Sequence, residues 1–280
     1  MIKNFSNLTV ILVSFKSDEQ ITRLVSKLDK RIKIIIIENS LDKIFKKFIE
    51  EKYKNIKVFI PRENKGWGSA INYAIKKTKS KYIMTLDCDV SITNDNISNL
   101  LAKGKKLNSF GVLMPKIYKH KYDDLIIGYD EKNKLSILSF NTGCVMLFEK
   151  KTFIKMGSFD ENYFLYFEET DFFTRCIKNN KKIYLYEKFA VKHDGSRSIN
   201  LRYKDEYFIF RNWHYCWSKF YYYKKHYGYI YSSLYFLPIL IRTLFKLLIK
   251  KNGSDEFEKY KYRFDGLLSS FLGKKSHLRP

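Results

Sequence analysis

The chain has 280 residues, of which 45% are hydrophobic, a composition that excludes a disordered protein and allows a substantial buried core. Lysine and arginine outnumber aspartate and glutamate by 53 to 29, which gives a formal net charge of +24. This excess favours an anionic partner, such as nucleic acid, an acidic membrane or a phosphorylated ligand, without choosing among them. The four cysteines lie far apart, with no CxxC pair, so they indicate a reduced, cytosolic compartment rather than a disulfide framework.

The first hundred residues alternate short aliphatic runs with helical patterns, which is typical of βαβ units in an α/β fold with a mostly parallel sheet. The N-terminal apolar run is too short for a signal peptide and predicts a first strand. Ser17 and Gln20 match a capping box that opens the first helix. Predicted strands cover 8–14, 33–38, 55–60, 82–87, 111–118, 143–149 and 181–187, and predicted helices cover 42–52, 68–77 and 169–179.

The composition changes after about residue 203. Residues 203–236 hold sixteen aromatic side chains, and residues 200–280 carry sixteen basic residues against six acidic ones. We therefore predict two domains, an α/β domain at 1–203 and an aromatic, basic helical region at 204–280.

Polar residues follow the predicted strands at their carboxyl ends, where ligands gather in open α/β sheets. Ser14, Glu38, Asn64 and Asp87 occupy these positions. We expect their side chains to converge on one crevice.

The stretch KYIMTLDCDV ends a buried apolar run with two carboxylates, Asp87 and Asp89, one residue apart. Two nearby anions repel each other unless a cation lies between them, so the pair suits Mg²⁺ or Mn²⁺, which can also bridge substrate phosphates. The alternative is a solvated turn in which the aspartates accept hydrogen bonds from backbone N–H groups.

The segment ENKGWGSAIN lies between the third strand and the next helix and contains Gly66 and Gly68. Glycines let the backbone approach a ligand closely, and a helix N-terminus favours an anionic phosphate. The segment matches neither the GxGxxG nor the P-loop fingerprint. An ordinary glycine-rich helix start is therefore the alternative.

Three carboxylates, Glu168, Glu169 and Asp171, lie around the first turn of a predicted helix. In that position they stabilise the helix dipole. Aromatic neighbours such as Phe164 would also desolvate one of them and raise its pKa, as a general base requires. Position alone does not choose between these roles.

The segment VKHDGSRS places His193 after a short apolar run. A lone histidine is either structural or a metal ligand. The polar, cationic loop that follows, which includes Arg197, would be able to hold phosphate oxygens.

Seven segments, taken in order, resemble the motif series of family 2 glycosyltransferases, especially the rhamnosyltransferase-like branch. They cover about residues 8–200 and are ILVSFKS, IIIENS, NKGWGSAIN, LDCDV, NTGCVMLFEK, GSFDENYFLYFEETDFFTR and VKHDGSRS. The resemblance implies a glycosyltransferase A-type fold, a nucleotide-sugar donor, a requirement for Mg²⁺ or Mn²⁺, and sugar transfer with inversion.

The resemblance also implies roles for individual residues. Asp89, with Asp87 and His193, would hold the metal, and Glu169 would be the base, with Glu168 and Asp171 as the other candidates. The family pattern has an aspartate where this chain has Glu169, and Glu38 likewise replaces a commoner aspartate. The donor-binding residues would be Ser14, Phe15, Glu38, Asn64, Gly66, Asn72, Asp87 and Arg197.

Three other functions fit parts of the sequence. A catalytically inactive relative would still bind nucleotide sugars, and a nucleotidyltransferase would share a similar sheet. A nucleic-acid-binding protein would share the charge and the aromatic residues, but no RRM, KH, helix-turn-helix or zinc signature is present, so we expect no nucleic-acid partner.

The apolar run 229–241 is shorter than a bilayer span, and we expect Arg242 and Lys246 to interrupt its continuation. Helical spacing predicts that one face holds Leu237, Leu240, Ile241, Leu244 and Leu248 and that the other holds Arg242, Lys246 and Lys250. We therefore predict peripheral attachment to the cytoplasmic leaflet of an anionic membrane, with a lipid-linked glycan as acceptor. The alternative is a helix that packs its apolar side on the first domain.

Overall fold

The computed structural model describes residues 4–194 and 204–279. The fold is α/β, and a C-terminal helical region follows the last strand of the sheet. The described residues form two compact units. The first comprises 4–65, 69–159 and 169–194, and the second comprises 66–68, 160–168 and 204–279.

The first unit is built on one large sheet with the strand order β3-β2-β1-β4-β9-β6-β10-β8-β7, and β5 pairs with β10 outside this path. The four strands from β3 to β4 are parallel, as the βαβ pattern predicts, whereas β9, β7 and β8 pair antiparallel with their neighbours. The strands are β1 (Leu8–Ser14), β2 (Lys33–Glu38), β3 (Ile56–Phe59), β4 (Tyr82–Leu86), β5 (Val90–Ser91), β6 (Val112–Ile117), β7 (Ile126–Asp130), β8 (Leu135–Leu138), β9 (Val145–Glu149) and β10 (Ile183–His193).

The helices follow the strands as the sequence pattern requires. They are α1 (Asp18–Val25), α2 (Lys43–Lys52), α3 (Trp67–Lys77), α4 (Asn94–Lys106), α5 (Lys150–Lys155) and α6 (Glu168–Lys178). Strands β1, β2 and β4 are buried along nearly their whole length, because helices cover both faces of a parallel sheet. This explains why their sequences are continuous aliphatic runs.

The predicted capping box at the start of α1 is wrong. Ser17 is the residue before the helix, but its side chain makes no capping hydrogen bond. Its hydroxyl instead donates to the carbonyl oxygen of Phe15 at 2.8 Å. The Ser17 hydroxyl therefore stabilises the local turn after β1 and does not cap the helix as the pattern predicted.

The second unit contains three helices, α7 (Lys204–Tyr227), α8 (Tyr229–Ile249) and α9 (Asp255–Phe271). Its core is formed by Phe220, Phe236 and Leu267, one from each helix. The unit also includes the segments 66–68 and 160–168, which lie within the range predicted for the first domain.

Helix α8 extends beyond the apolar run 229–241. It continues through Arg242 and Lys246 for 21 residues, and its length and composition are those of a helix able to cross a membrane. The expectation that this segment is too short to span a bilayer is therefore wrong. Lys250 lies outside the helix, in extended backbone at its C-terminal end.

Candidate active site

The ends of β1 and β2 place Ser14 and Glu38 side by side, because the two residues are paired in the parallel register. Both side chains are buried. Burial raises the pKa of the Glu38 carboxyl, and hydrogen bonds from Ser14 and Ser40 oppose this shift. The pair therefore places two buried polar side chains at the carboxyl edge of the sheet.

The loop after β2 adds Asn39, a residue that the sequence analysis did not single out. Its backbone N–H donates to the Ser14 carbonyl oxygen at 2.8 Å, and its side-chain oxygen accepts from the Lys65 N–H at 3.4 Å. Asn39 thereby links the ends of the first two strands to the residue after Asn64. Phe15 is partly buried beside Ser14.

Asp87 and Asp89 meet His193 at the same edge of the sheet. The two-residue strand β5 follows Asp89 directly and pairs antiparallel with the end of β10, with Val90 opposite His193. The His193 Nε2 atom lies 3.3 Å from Asp89 Oδ1 and 3.8 Å from Asp87 Oδ2. One ligand atom from each of the three side chains lies within 4.8 Å of the others.

This arrangement fits a divalent cation. Two carboxylates and an imidazole are ligands that Mn²⁺ accepts, and carboxylates are those that Mg²⁺ prefers. Asp89 is almost fully buried, and its hydrogen bond raises the pKa of the His193 imidazole. A buried carboxylate needs a positive partner, which a cation or a protonated histidine would supply.

Cys88 lies between the two aspartates and is buried. Loss of hydration, reinforced by the neighbouring aspartates, raises the pKa of its thiol to about 12. The side chain is therefore a neutral thiol near pH 7 and a packing residue rather than a thiolate ligand.

The three carboxylates of the α6 region lie in different environments. Glu168 is buried. Asp171 is fully buried and accepts a hydrogen bond from Arg175 Nε at 2.8 Å. Arg175 in turn bonds the carbonyl oxygens of Met156 and Ser158, so Asp171 is held in an ion pair inside the fold. Glu169 is partly buried, and loss of hydration raises the pKa of its carboxyl.

The loop before β9 lies against both Asp87 and Glu169. The Asp87 N–H donates to the Cys144 carbonyl oxygen at 2.9 Å. A Cβ on Gly143 would lie 3.4 Å from Cγ of Glu169. Gly143 was not among the predicted site residues, although a glycine just before a buried strand is a signal for close approach.

The segment before Glu168 is strained. Tyr166 and Phe167 have φ angles of +67° and +69°, which non-glycine residues rarely adopt. Helix α7 holds the segment in place, because Ser218 Oγ donates to the Leu165 carbonyl oxygen at 2.8 Å and Arg211 bonds the Tyr166 hydroxyl. Such strain persists where the surrounding structure fixes it, often at functional sites.

Two residues predicted to bind the nucleotide-sugar donor, Gly66 and Asn72, make tight contacts within their own units. Gly66 has a φ of +74° and lies against the backbone of Phe164. The Asn72 side chain donates to the Phe159 carbonyl oxygen at 2.8 Å and accepts from its N–H at 3.1 Å. Arg197 lies outside the described residues, and the donor-binding roles of Gly66 and Asn72 stay predictions.

Known proteins resemble this chain in both sequence and structure. Low-salt glycan biosynthesis hexosyltransferase Agl10 of Haloferax volcanii is 20% identical over 198 residues, which are 63% of this chain and 64% of that protein. Minor teichoic acid biosynthesis protein GgaB of Bacillus subtilis is 28% identical over 186 residues, which are 59% of this chain and 20% of that protein. The chain spans less than two thirds of the length of these curated relatives.

Among solved structures, the mannosyltransferase PcManGT from Pyrobaculum calidifontis, in complex with GDP-Man and Mn²⁺, aligns with a TM-score of 0.60. It is 11% identical, and the alignment covers 97% of this chain and 89% of that one. S. aureus TarS 1-349, in complex with UDP-GlcNAc, aligns with a TM-score of 0.53 at 14% identity, covering 96% and 93% of the two chains. These similarities confirm the predicted glycosyltransferase A-type fold.

The family model of glycosyl transferase family 2 matches residues 9–227, which is most of the chain. The match includes all the strands of the sheet apart from Leu8, the first residue of β1. It also includes Asp87, Asp89 and the α6 carboxylates. The chain belongs to glycosyl transferase family 2.

Proposed function

We propose that the protein is an inverting, metal-dependent glycosyltransferase that moves a sugar from a nucleotide-diphosphate donor to a glycan hydroxyl in cell-surface polysaccharide synthesis. The observation that carries the proposal is the convergence of Asp87, Asp89 and His193 at the carboxyl edge of the sheet. The Asn141–Cys144 loop contacts both Asp87 and Glu169, so the proposed metal site and the proposed base share one support.

The donor nucleotide would lie over the ends of β1 and β2. Ser14, Phe15 and Glu38 would line the base and ribose pocket, and the Asn64–Gly66 segment would flank it. A carboxylate at the end of β2 is suited to accept hydrogen bonds from ribose hydroxyls. Two similar structures were solved with different nucleotide sugars, GDP-Man and UDP-GlcNAc, so the donor is proposed only as a class.

Asp89, with Asp87 and His193, would hold the Mg²⁺ or Mn²⁺. When bound, the ion offsets the negative charge that grows on the departing nucleoside diphosphate. Burial of Asp89 strengthens its attraction for a cation, because charges interact more strongly away from bulk water.

Glu169 would accept the proton of the acceptor hydroxyl. Its raised pKa makes it a better proton acceptor than an ordinary surface glutamate, whereas Asp171 is committed to Arg175. The acceptor oxygen forms a bond to the anomeric carbon as the bond from that carbon to the diphosphate oxygen breaks. Attack from the side opposite the leaving group inverts the anomeric configuration.

We further propose that the reaction takes place at the cytoplasmic face of the cell membrane, on a lipid-linked glycan. Support comes from the names of the relatives, which refer to glycan and teichoic acid biosynthesis, and from the net charge of +24. Residues 1–203 would provide the catalytic domain, and the helical region at 204–280 would provide the attachment to the membrane.

A nucleotide-sugar screen tests the proposed activity. A donor present at 100 times its dissociation constant should stabilise the protein by about 2.7 kcal/mol, and the stabilisation should require Mg²⁺ or Mn²⁺. The reaction is then identified by two measurements. The first is release of the nucleoside diphosphate when an extract that contains acceptor glycans is added, and the second is the anomeric configuration of the product. Metal-dependent donor binding without release of the diphosphate would indicate an inactive relative instead.

A further inference from the structure

One exposed face of α8 is apolar along the length of the helix, although Arg242 is exposed beside it. Ile230, Leu234 and Leu248 are 77%, 70% and 74% exposed, and they mark the two ends of a stripe. The residues between them recur at spacings of three and four, so they share one face of the helix. We call this the α8 stripe, and its members are Ile230, Leu234, Leu237, Ile241, Leu244, Phe245 and Leu248.

The opposite face of α8 is already occupied. Phe236 packs against Phe220 of α7 and Leu267 of α9 in the core of the unit. Further along the same face, Lys246 donates to the Tyr260 hydroxyl at 3.1 Å. Beyond the helix end, Lys250 forms an ion pair with Glu256. Two of the three basic residues expected to face a membrane therefore already have partners within the unit.

We propose that the α8 stripe is buried in the acyl-chain boundary of an anionic lipid bilayer, with α8 lying in the plane of the membrane. The proposal deepens the membrane attachment suggested above and rests on it. It replaces attachment by a basic helix face with attachment by the apolar stripe.

Charge favours lipid over a second copy of the chain. Residues 200–280 carry sixteen basic residues against six acidic ones, so two copies that meet at α8 bring two strongly positive regions together. An anionic lipid surface attracts the same residues. The tyrosines at the start of the stripe fit the headgroup region, because Tyr231 and Tyr235 are exposed and combine an apolar ring with a polar hydroxyl.

The packing favours an in-plane helix over a membrane-spanning one. Helix α9 lies against α8 and carries seven charged residues: Asp255, Glu256, Glu258, Lys259, Lys261, Arg263 and Asp265. If α8 crossed the bilayer with its packing intact, these charges would enter the hydrocarbon core, where each is strongly unfavourable. An in-plane position buries only the stripe and leaves α9 on the aqueous side.

The first test is flotation with sealed vesicles of phosphatidylcholine containing phosphatidylglycerol, without donor or acceptor. The variant Leu234→Ser/Ile241→Ser/Leu248→Ser should lose about tenfold or more in membrane partition for each residue changed. The matched control, Ile44→Ser/Ile127→Ser/Ile154→Ser, removes three exposed isoleucines from the first unit and should float like the wild type. Unchanged thermal unfolding shows that each variant folds, and Leu248→Ser alone serves as a milder version.

The second test separates the two orientations in the membrane. Tyr227→Cys and Lys251→Cys place a thiol at each end of α8, and an impermeant maleimide is added outside the vesicles, with the wild type as background. Labelling of both positions supports the in-plane helix, and labelling of only one overturns it. Equal flotation of the stripe and control variants, or flotation by none, also overturns the proposal. A dimer that forms without vesicles and is lost in the stripe variant would assign the stripe to a second copy.

These outcomes are distinct from a failure of the proposed function. Vesicle binding is measured without sugar transfer. A protein that floats with vesicles through the α8 stripe but transfers no sugar would therefore refute only the proposed glycosyltransferase activity.

Discussion

Replacing Gly66 with alanine tests whether the close backbone approach in the second unit matters for function. A Cβ at this position would lie 2.9 Å from both Cα and the carbonyl carbon of Phe164, and closer still to the carbonyl oxygen. That oxygen already accepts a hydrogen bond from the Trp67 N–H at 3.1 Å, so it cannot move away freely.

The expected magnitude follows from these distances. Carbon atoms in contact are normally at least about 3.5 Å apart. The backbone at position 66 and the backbone of Phe164 must therefore separate by about 0.6 Å or more. Overpacking of this kind costs about 1–3 kcal/mol, in addition to about 1 kcal/mol for an alanine at positive φ. A displacement approaching 1 Å in a substrate-positioning segment lowers turnover by up to about 10²-fold.

The chain offers a matched control. Gly273 has the same φ of +74°, but a Cβ there would meet nothing within 4 Å. Gly273→Ala therefore carries the backbone strain without the clash. We expect Gly66→Ala to lower the midpoint of thermal unfolding more than Gly273→Ala, and only Gly66→Ala to lower donor affinity and turnover. Equal losses of stability, with donor binding intact in both, would refute the reasoning.

The remaining predictions concern the metal site and the base. Asp89→Ala should abolish the effect of Mg²⁺ or Mn²⁺ on donor binding and turnover, and His193→Ala should weaken that effect less. The control is Asp124→Ala, which removes an exposed aspartate. Full activity in excess chelator would contradict the proposed metal site. Glu169→Gln should lower turnover by roughly 10²-fold or more while donor affinity is kept. If Glu168→Gln loses turnover and Glu169→Gln does not, the base is misassigned. The raised pKa of Glu169 also predicts that turnover falls as the pH drops through it, measured as kcat/KM against pH. Because its folded-state pKa is raised, this carboxyl stabilises the fold fully only below its unfolded pKa and loses that contribution as pH rises through the folded pKa. Glu169→Gln should therefore unfold at a higher temperature than the wild type near neutral pH, and this difference should vanish in acid.

The sequence by itself determined the parallel half of the sheet. The run LTVILVS became β1 and KIIIIE became β2 with the predicted bounds, because strands covered on both faces need continuous aliphatic side chains. It also determined that the fourth strand ends at the aspartate pair, since such a pair cannot continue a buried strand, although β4 ends at Leu86, one residue before the predicted end at Asp87. The family assignment followed from several such local segments in the right order.

Only the tertiary structure decided which distant residues meet. His193 reaches the aspartates because β5 pairs with the end of β10, a contact between positions about a hundred residues apart that no local pattern encodes. The buried ion pair of Asp171 with Arg175 was not predicted, although the two residues have the i, i+4 spacing of neighbours on a helix. The ion pair with Arg175 is what separates Asp171 from Glu169.

The structure also decided which face of α8 points outward. Helical periodicity correctly placed Leu237 and Leu248 on one side and Lys246 on the other, but periodicity does not say which side packs. In the folded chain Phe236 fills the core between α7 and α9, so Lys246 turns inward to Tyr260 and the leucines remain exposed. The physical reason is that a sequence pattern fixes the faces of a helix, whereas the neighbours it meets in the fold fix which face is buried.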